Sequence, residues 1–121
     1  MEAVIIQNIL ENLAIGLLVI NPHGEIVLAN MATSAMLGYP VEVIEGKGWG
    51  ELFMDGENDP FNQVLVEVIW EQRLNLHRTV PYVRSDNKVL QLSITTSYIS
   101  SDQELAGIVV LLDDVTEIQA L

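Results

Sequence analysis

Cysteine is absent from this chain of 121 residues. That removes disulfides, thiolate catalysis and Cys-ligated zinc in one step. It also accords with a reducing compartment, so the expected location is cytoplasmic. Basic residues are scarce: five Lys and Arg stand against seventeen Asp and Glu, for a formal net charge of −12. The five (Lys47, Arg73, Arg78, Arg84 and Lys88) form no dense cluster. Binding a phosphate backbone or an anionic lipid surface requires clustered cations that displace counterions. Direct nucleic-acid binding is therefore not expected, and the acidity reads as a soluble, self-repelling surface. Long hydrophobic runs are missing too. Half of the residues are hydrophobic, yet runs such as Ile108 to Leu112 fall far short of the ~20 residues that span a bilayer. The opening MEAVIIQNIL lacks the basic n-region of a secretory signal. Direct membrane insertion is not expected.

Catalytic and metal signatures are missing as well. There is no G-x-S-x-G, no H-E-x-x-H and no zinc spacing. Gly46-Lys47-Gly48-Trp49-Gly50 has neither Walker spacing nor a following Ser or Thr, so it is no phosphate loop. Asp55 to Asp59 imitates the opening of a calcium loop, but Pro60 stands where that loop needs Gly and Val66 where it needs Glu. Nothing here argues for an enzyme.

What is present begins with Gly16 to Pro40, GLLVINPHGEIVLANMATSAMLGYP. Leu17 to Ile20 and Glu25 to Ala29 are two apolar runs, and Asn21-Pro22-His23-Gly24 between them supplies a turn: Pro presets φ and Gly accepts a positive φ. Asn30 sits where a helix N-cap belongs, before Met31 to Leu37, and Gly38 with Pro40 stops that helix. Ahead of this unit, Val4, Ile5, Ile6, Ile9, Leu10 and Leu13 recur at roughly helical spacing. They predict an amphipathic helix packed either on its own domain or on a second copy. Behind it, Val41 to Phe53 reads as short helical turns. Asp59 as N-cap and Pro60 as first helical residue open a helix from Phe61 to about Arg73. Its polar stripe, Gln63, Glu67 and Glu71, is narrow, and burial in the core is the favoured reading for the apolar flanks.

Three strands follow. Leu76 to Arg84 contains Pro81, which has no N–H for a ladder, so this strand belongs at a sheet edge. Arg78 and Arg84 fall on one face of it; two solvent-facing charges explain them better than a site for a small acid. Ser85 to Lys88 turns the chain. Leu90, Leu92 and Ile94 then alternate with Gln91, Ser93 and Thr95, giving one buried face. Ser100 to Glu104 turns again, and Gly107 to Leu112 is a continuous apolar strand with neighbours on both sides. Asp114-Val115-Thr116-Glu117 has the D-x-x-E form of a capping box. The helix it would open is barely two turns long before the sequence ends, and such a helix is marginal alone. The chain thus reads as a fragment of a larger protein.

Three segments, VINPHGEIVLANMATSAMLGY, the ELF of Glu51 to Phe53 and DDVTE of Asp113 to Glu117, resemble the PAS domain. The first and last bracket the domain at the right separation. The resemblance implies an α+β fold: a five-stranded antiparallel sheet in order 2-1-5-4-3 with helices on one face. It divides the chain into an N-terminal amphipathic helix (1–13), a PAS core (14–113) and the start of a signalling helix (114–121). It implies a non-catalytic module that dimerises and relays a signal to an output domain downstream in the same chain. Histidine kinases, nucleotide or diguanylate cyclases and transcriptional activators are the outputs found with PAS domains. Asp114 and Thr116 would couple the last strand to the helix, and Ile5, Ile6, Ile9 and Leu13 would form a homodimer face.

The alternative is a PAS domain that senses a small apolar molecule, flavin or haem between the long helix and the sheet. Leu37, Phe53, Leu65, Ile69, Leu92 and Ile94 would line that pocket. No resident cofactor is expected. Covalent flavin–cysteine chemistry lacks its cysteine, and Trp70 and Trp49 read as core before they read as the wall of a non-covalent flavin site. For haem the axial candidates are His23, in a turn, and His77, whose neighbours Asn75 and Arg78 suggest solvent.

Overall fold

The computed structural model describes residues 2–48, 51–52, 58–71, 76–102 and 104–117. In chain order the elements are α1 (Glu2–Asn12), β1 (Gly16–Ile20), β2 (Ile26–Ala29), α2 (Met31–Leu37), α3 (Val41–Ile44), α4 (Asp59–Ile69), β3 (His77–Val83), β4 (Val89–Ser101) and β5 (Glu104–Asp114). The strands form one antiparallel sheet in the order β2-β1-β5-β4-β3. This is the order that the resemblance implied. The Pro81 strand is at an edge and β5 is central.

Register explains the core. Leu18 pairs with Val110, Ile20 with Ile108 and Ile94 with Leu112, so all six side chains share one face. Each is buried, together with Leu37 from α2, Ile44 from α3 and Phe61, Val64, Leu65 and Val68 from α4. Burying one such side chain contributes roughly 2 kcal/mol, which decides the face each strand presents. Phe61 and Tyr82 meet edge to face with ring centroids 5.0 Å apart, and the Tyr82 hydroxyl donates to the Leu37 carbonyl at 2.8 Å. That bond ties β3 to the end of α2.

The first hairpin and α2 form as the sequence predicts. Asn30 caps α2 by accepting from Thr33 N–H, and Gly38 ends it at φ 88°. A side chain at Gly38 would also press on Arg84 Cγ at 2.7 Å, so both conformation and space require glycine. The long helix differs at both ends. Asn58, not Asp59, is the residue before its first turn, and helical structure ends at Ile69 rather than near Arg73, which lies outside the described residues. Asn58 makes no cap bond. Its buried carboxamide instead accepts from Val83 N–H at 2.7 Å and donates to the Val83 carbonyl at 3.2 Å. The flanks of the helix also separate. Phe61, Val64, Leu65 and Val68 enter the core, while Trp70 just past the helix is 77% exposed.

The β2 edge of the sheet is largely closed, and the β3 edge is capped at one end. On β3, Asn58 occupies the outward groups of Val83, and two residues back Pro81 has no N–H to offer. On β2, Ile26 N–H donates to the Lys47 carbonyl at 2.9 Å, Gly46 N–H donates to the Ile26 carbonyl at 2.8 Å, and Ala29 N–H donates to Glu45 Oε2 at 3.0 Å. Little of the β2 edge is left for another strand to pair with.

Candidate functional site

The point where β5 releases the chain is held by more than the sheet. Asp114, the last residue of β5, pairs with Leu92 on β4. Beyond it, Val115 N–H donates to the Gln91 carbonyl at 2.9 Å, and Gln91 N–H donates to Thr116 Oγ1 at 3.0 Å. Asp114 Oδ1 accepts from Thr116 N–H at 3.0 Å and also from the Thr116 hydroxyl. That hydroxyl therefore accepts from β4 and donates to Asp114 at once, which a hydroxyl can do and a methyl cannot. A helical turn begins at Thr116 and Glu117. Asp114 thus accepts from an early backbone N–H, as expected, that of Thr116 two residues on. Asp114 and Thr116 are brought together, and Gln91, which the sequence reading did not single out, completes the clasp. Its part is played by backbone atoms, so no side-chain pattern could announce it.

Arg84 stands beside this junction. Its guanidinium grips Asp86 with two parallel bonds, Nε to Oδ1 at 2.8 Å and Nη2 to Oδ2 at 2.7 Å. The hydrogen bonds from Arg84 hold the Asp86 carboxyl down to about 2. Hydrogen bonding to Asp86 in turn raises Arg84, opposed by desolvation, and the nearby Asp114 charge adds to the rise. Ala14, Ala32, Ala35, Met36, Arg84 and Asp114 line one depression of about 200 Å³. The approach to β1, the flank of α2 and the end of β5 thus meet at one place. Arg78 is occupied as well, 3.8 Å from Glu67 on α4. The two arginines are each satisfied within the chain.

The other expected site is α1. Ile5, Ile6 and Ile9 are between 51 and 55% exposed and Leu13 is 39% exposed, with Val4 beside them. An amphipathic helix that leaves these side chains in water has not used its apolar face on its own domain.

Of the six pocket candidates, Leu37, Leu65, Leu92 and Ile94 converge in one cluster, each at 0% exposure. Ile69 closes α4, but its side chain, like all of Phe53, lies outside the described residues. None of the four lines the depression at Arg84 and Asp114 or the cavity between α1, β2 and α3. Both histidines are exposed, and His77 Nδ1 lies 2.8 Å from Thr95 Oγ1. As placed, neither offers haem iron a ligand in the interior. Trp70 faces solvent, and Trp49 is outside the described residues. The larger cavity, about 450 Å³, opens between α1, β2 and α3. Among the described residues no group of three or more His, Cys, Asp or Glu could hold a metal ion. None of the described helices is long and apolar enough to cross a membrane.

Comparison with known proteins places this geometry. The PAS domain of a protein from Colwellia psychrerythraea superposes with a TM-score of 0.75 over 97% of this chain and 99% of that one, at 14% identity. The PAS domain of the fruit-fly ELK potassium channel gives 0.74 over 96% and 98%, at 15% identity. The LOV protein of Rhodobacter sphaeroides gives 0.70 over 95% and 70%, at 14% identity. At such identities the likeness is one of fold. The comparison with curated proteins returned no match. The family model described as PAS domain matches residues 14–117. With the strand order, the capped α2 and the Asp114–Thr116 junction in place, the chain belongs to the PAS domain family, whose members are sensory signalling modules.

Proposed function

We propose that this chain is a non-catalytic, cytoplasmic PAS module that dimerises through α1 and relays a signal to an output domain downstream. A histidine kinase, a nucleotide or diguanylate cyclase, or a transcriptional activator is the class of output. The observation that carries the reading is the clasp of Thr116 on Gln91. It makes the exit of the chain an extension of the central sheet, so a shift of β4 against β5 alters the direction in which the next helix leaves. The exposed isoleucines of α1 support a homodimer, in which two exits would be held in register. Removing the Asp114 carboxylate takes away the acceptor that orients Thr116. In Asp114→Ala, amide exchange at Gln91, Thr116 and Glu117 is expected to quicken about tenfold while the amides of β1 and β5 keep their protection. Unchanged exchange at those three amides would remove the coupling role.

A second reading, a sensor of a small apolar molecule, flavin or haem, draws on the likeness in fold to the LOV protein. It ranks lower because Leu37, Leu65, Leu92 and Ile94 pack into one buried cluster of the domain's own side chains, and none of them lines either of the two described cavities. Native mass spectrometry of the purified chain, repeated under denaturing conditions, separates the two. A dimer of bare chains supports the relay. Extra mass released on denaturation supports the sensor. A bare monomer removes the dimer from the proposal.

A further inference from the structure

The larger cavity is a groove with an apolar floor of Leu28, Met31 and Val41. Glu11 on α1 rises at one side, and Glu42 and Glu45 at the α3 side. Among the described residues no basic one lines it. Of the four basic residues described, Lys47, Arg78 and Arg84 are paired elsewhere, with Glu51, Glu67 and Asp86. The groove therefore presents apolar surface framed by carboxylates that no described cation of the chain neutralises, within a molecule of net charge −12. A second copy of this chain is a poor occupant, since its Lys47, Arg78 and Arg84 are already paired with its own carboxylates and so are not offered to those of the groove. Strand addition is also disfavoured: beside the groove the outward groups of Ile26 and Ala29 are already bonded to Lys47, Gly46 and Glu45. An occupant must bind through side chains, with apolar groups for the floor and cations for the walls.

We infer that this groove docks a basic amphipathic helix of a partner protein, its apolar face on Leu28, Met31 and Val41 and its Lys or Arg residues against Glu11, Glu42 and Glu45. The surface is independent of the α1 isoleucines and of the β5 junction, so it stands or falls separately from the relay.

The test uses the 121-residue chain and a fluorescein-labelled peptide of about 18 residues with Leu and Lys at helical spacing. Its counterpart with Glu in place of Lys is the control. Fluorescence anisotropy is expected to show saturable binding of the Lys peptide and none of the Glu peptide. The exposed pair Glu11→Gln/Glu42→Gln should weaken binding about tenfold, because two wall charges are lost. Asp102→Asn/Asp113→Asn removes two charges away from the groove and should leave the affinity within about twofold. Equal weakening by both variants would mean that only the overall field attracts the peptide, and would overturn the proposal. So would the absence of saturable binding. Sedimentation of the chain alone decides the remaining case: self-association abolished by Glu11→Gln/Glu42→Gln would give the groove to a second copy instead.

Discussion

One carboxamide organises the start of the domain. Asn30 Oδ1 accepts from Leu17 N–H, Thr33 N–H and the Thr33 hydroxyl, all near 3 Å, and Nδ2 donates to the Ile15 carbonyl at 2.9 Å. A helix cap and a strand clamp are thus the same side chain. Asn30→Ala would lose the cap and strand buried partners, and should destabilise the fold by about 3 kcal/mol, read as a lower urea midpoint with unchanged slope. Thr33 is tied in as well: its single hydroxyl proton is shared between Asn30 Oδ1 and the Leu17 carbonyl, which lies 3.0 Å away. Asp86 provides a pH prediction at the same scale. Its folded pKa, about 2, lies below the ordinary 3.8, so the clasp with Arg84 adds stability above pH 4 and loses it as the pH falls through 2. The melting temperatures of the native chain and Asp86→Asn should differ by a constant amount above pH 4 and converge by pH 2. Convergence at neutral pH instead would mean that the clasp does not stabilise the fold. The cap at Asn30 was legible from its place before Met31. The role of Asn58 was not, because a side chain bonding across 25 positions to Val83 leaves no local pattern.

Among the elements, α1 and the β5 exit carry the proposed relay, and both depend on surfaces that a single domain leaves unfinished. Replacing Ile5 and Ile9 by Glu adds charge to an exposed helix face, so the fold should keep its melting temperature within a few degrees. Sedimentation velocity should show a dimer of the native chain become a monomer in that variant. A dimer that survives would place the interface elsewhere. At the exit, Thr116→Val keeps the shape and removes the hydroxyl. Gln91 N–H then loses its acceptor, and a loss of roughly 1 kcal/mol is expected, confined to the end of the sheet. Helical periodicity announced α1, since spacing of apolar residues is local. Where α4 begins and ends was misjudged at Asp59 and Arg73, because propensity near a helix end is outweighed by what the end packs against. Asn58 is drawn to β3 by its bonds to Val83, and Trp70, the first residue past the helix, is exposed.

For the whole molecule, charge and topology act together. With −12 spread over 121 residues, self-repulsion opposes the compact state. Raising NaCl from about 20 to about 300 mM shortens the screening length several-fold, and should lift the melting temperature by a few degrees. A fall would mean that exposed pairs such as Arg84–Asp86 outweigh the repulsion. The closed β2 edge disfavours strand pairing there, in keeping with the proposed contacts through α1 and the groove beside β2. The contacts on α1 are side chains of a helix, and those of the groove come from helices and from β2.

The class of fold was implied by the resemblance to the PAS domain; the sequence by itself determined the hairpin, the Asn30 cap, the edge position of the Pro81 strand and the inward face of β4. Each of these follows from local rules: alternation with period two, a proline without an N–H, a cap residue ahead of an apolar helix. Only the tertiary structure decided what holds the exit of the chain, which edges are closed and which apolar side chains remain in water. Those outcomes depend on groups far apart in sequence, Gln91 with Thr116, Asn58 with Val83 and Glu45 with Ala29, whose meeting is set by the register of the folded sheet.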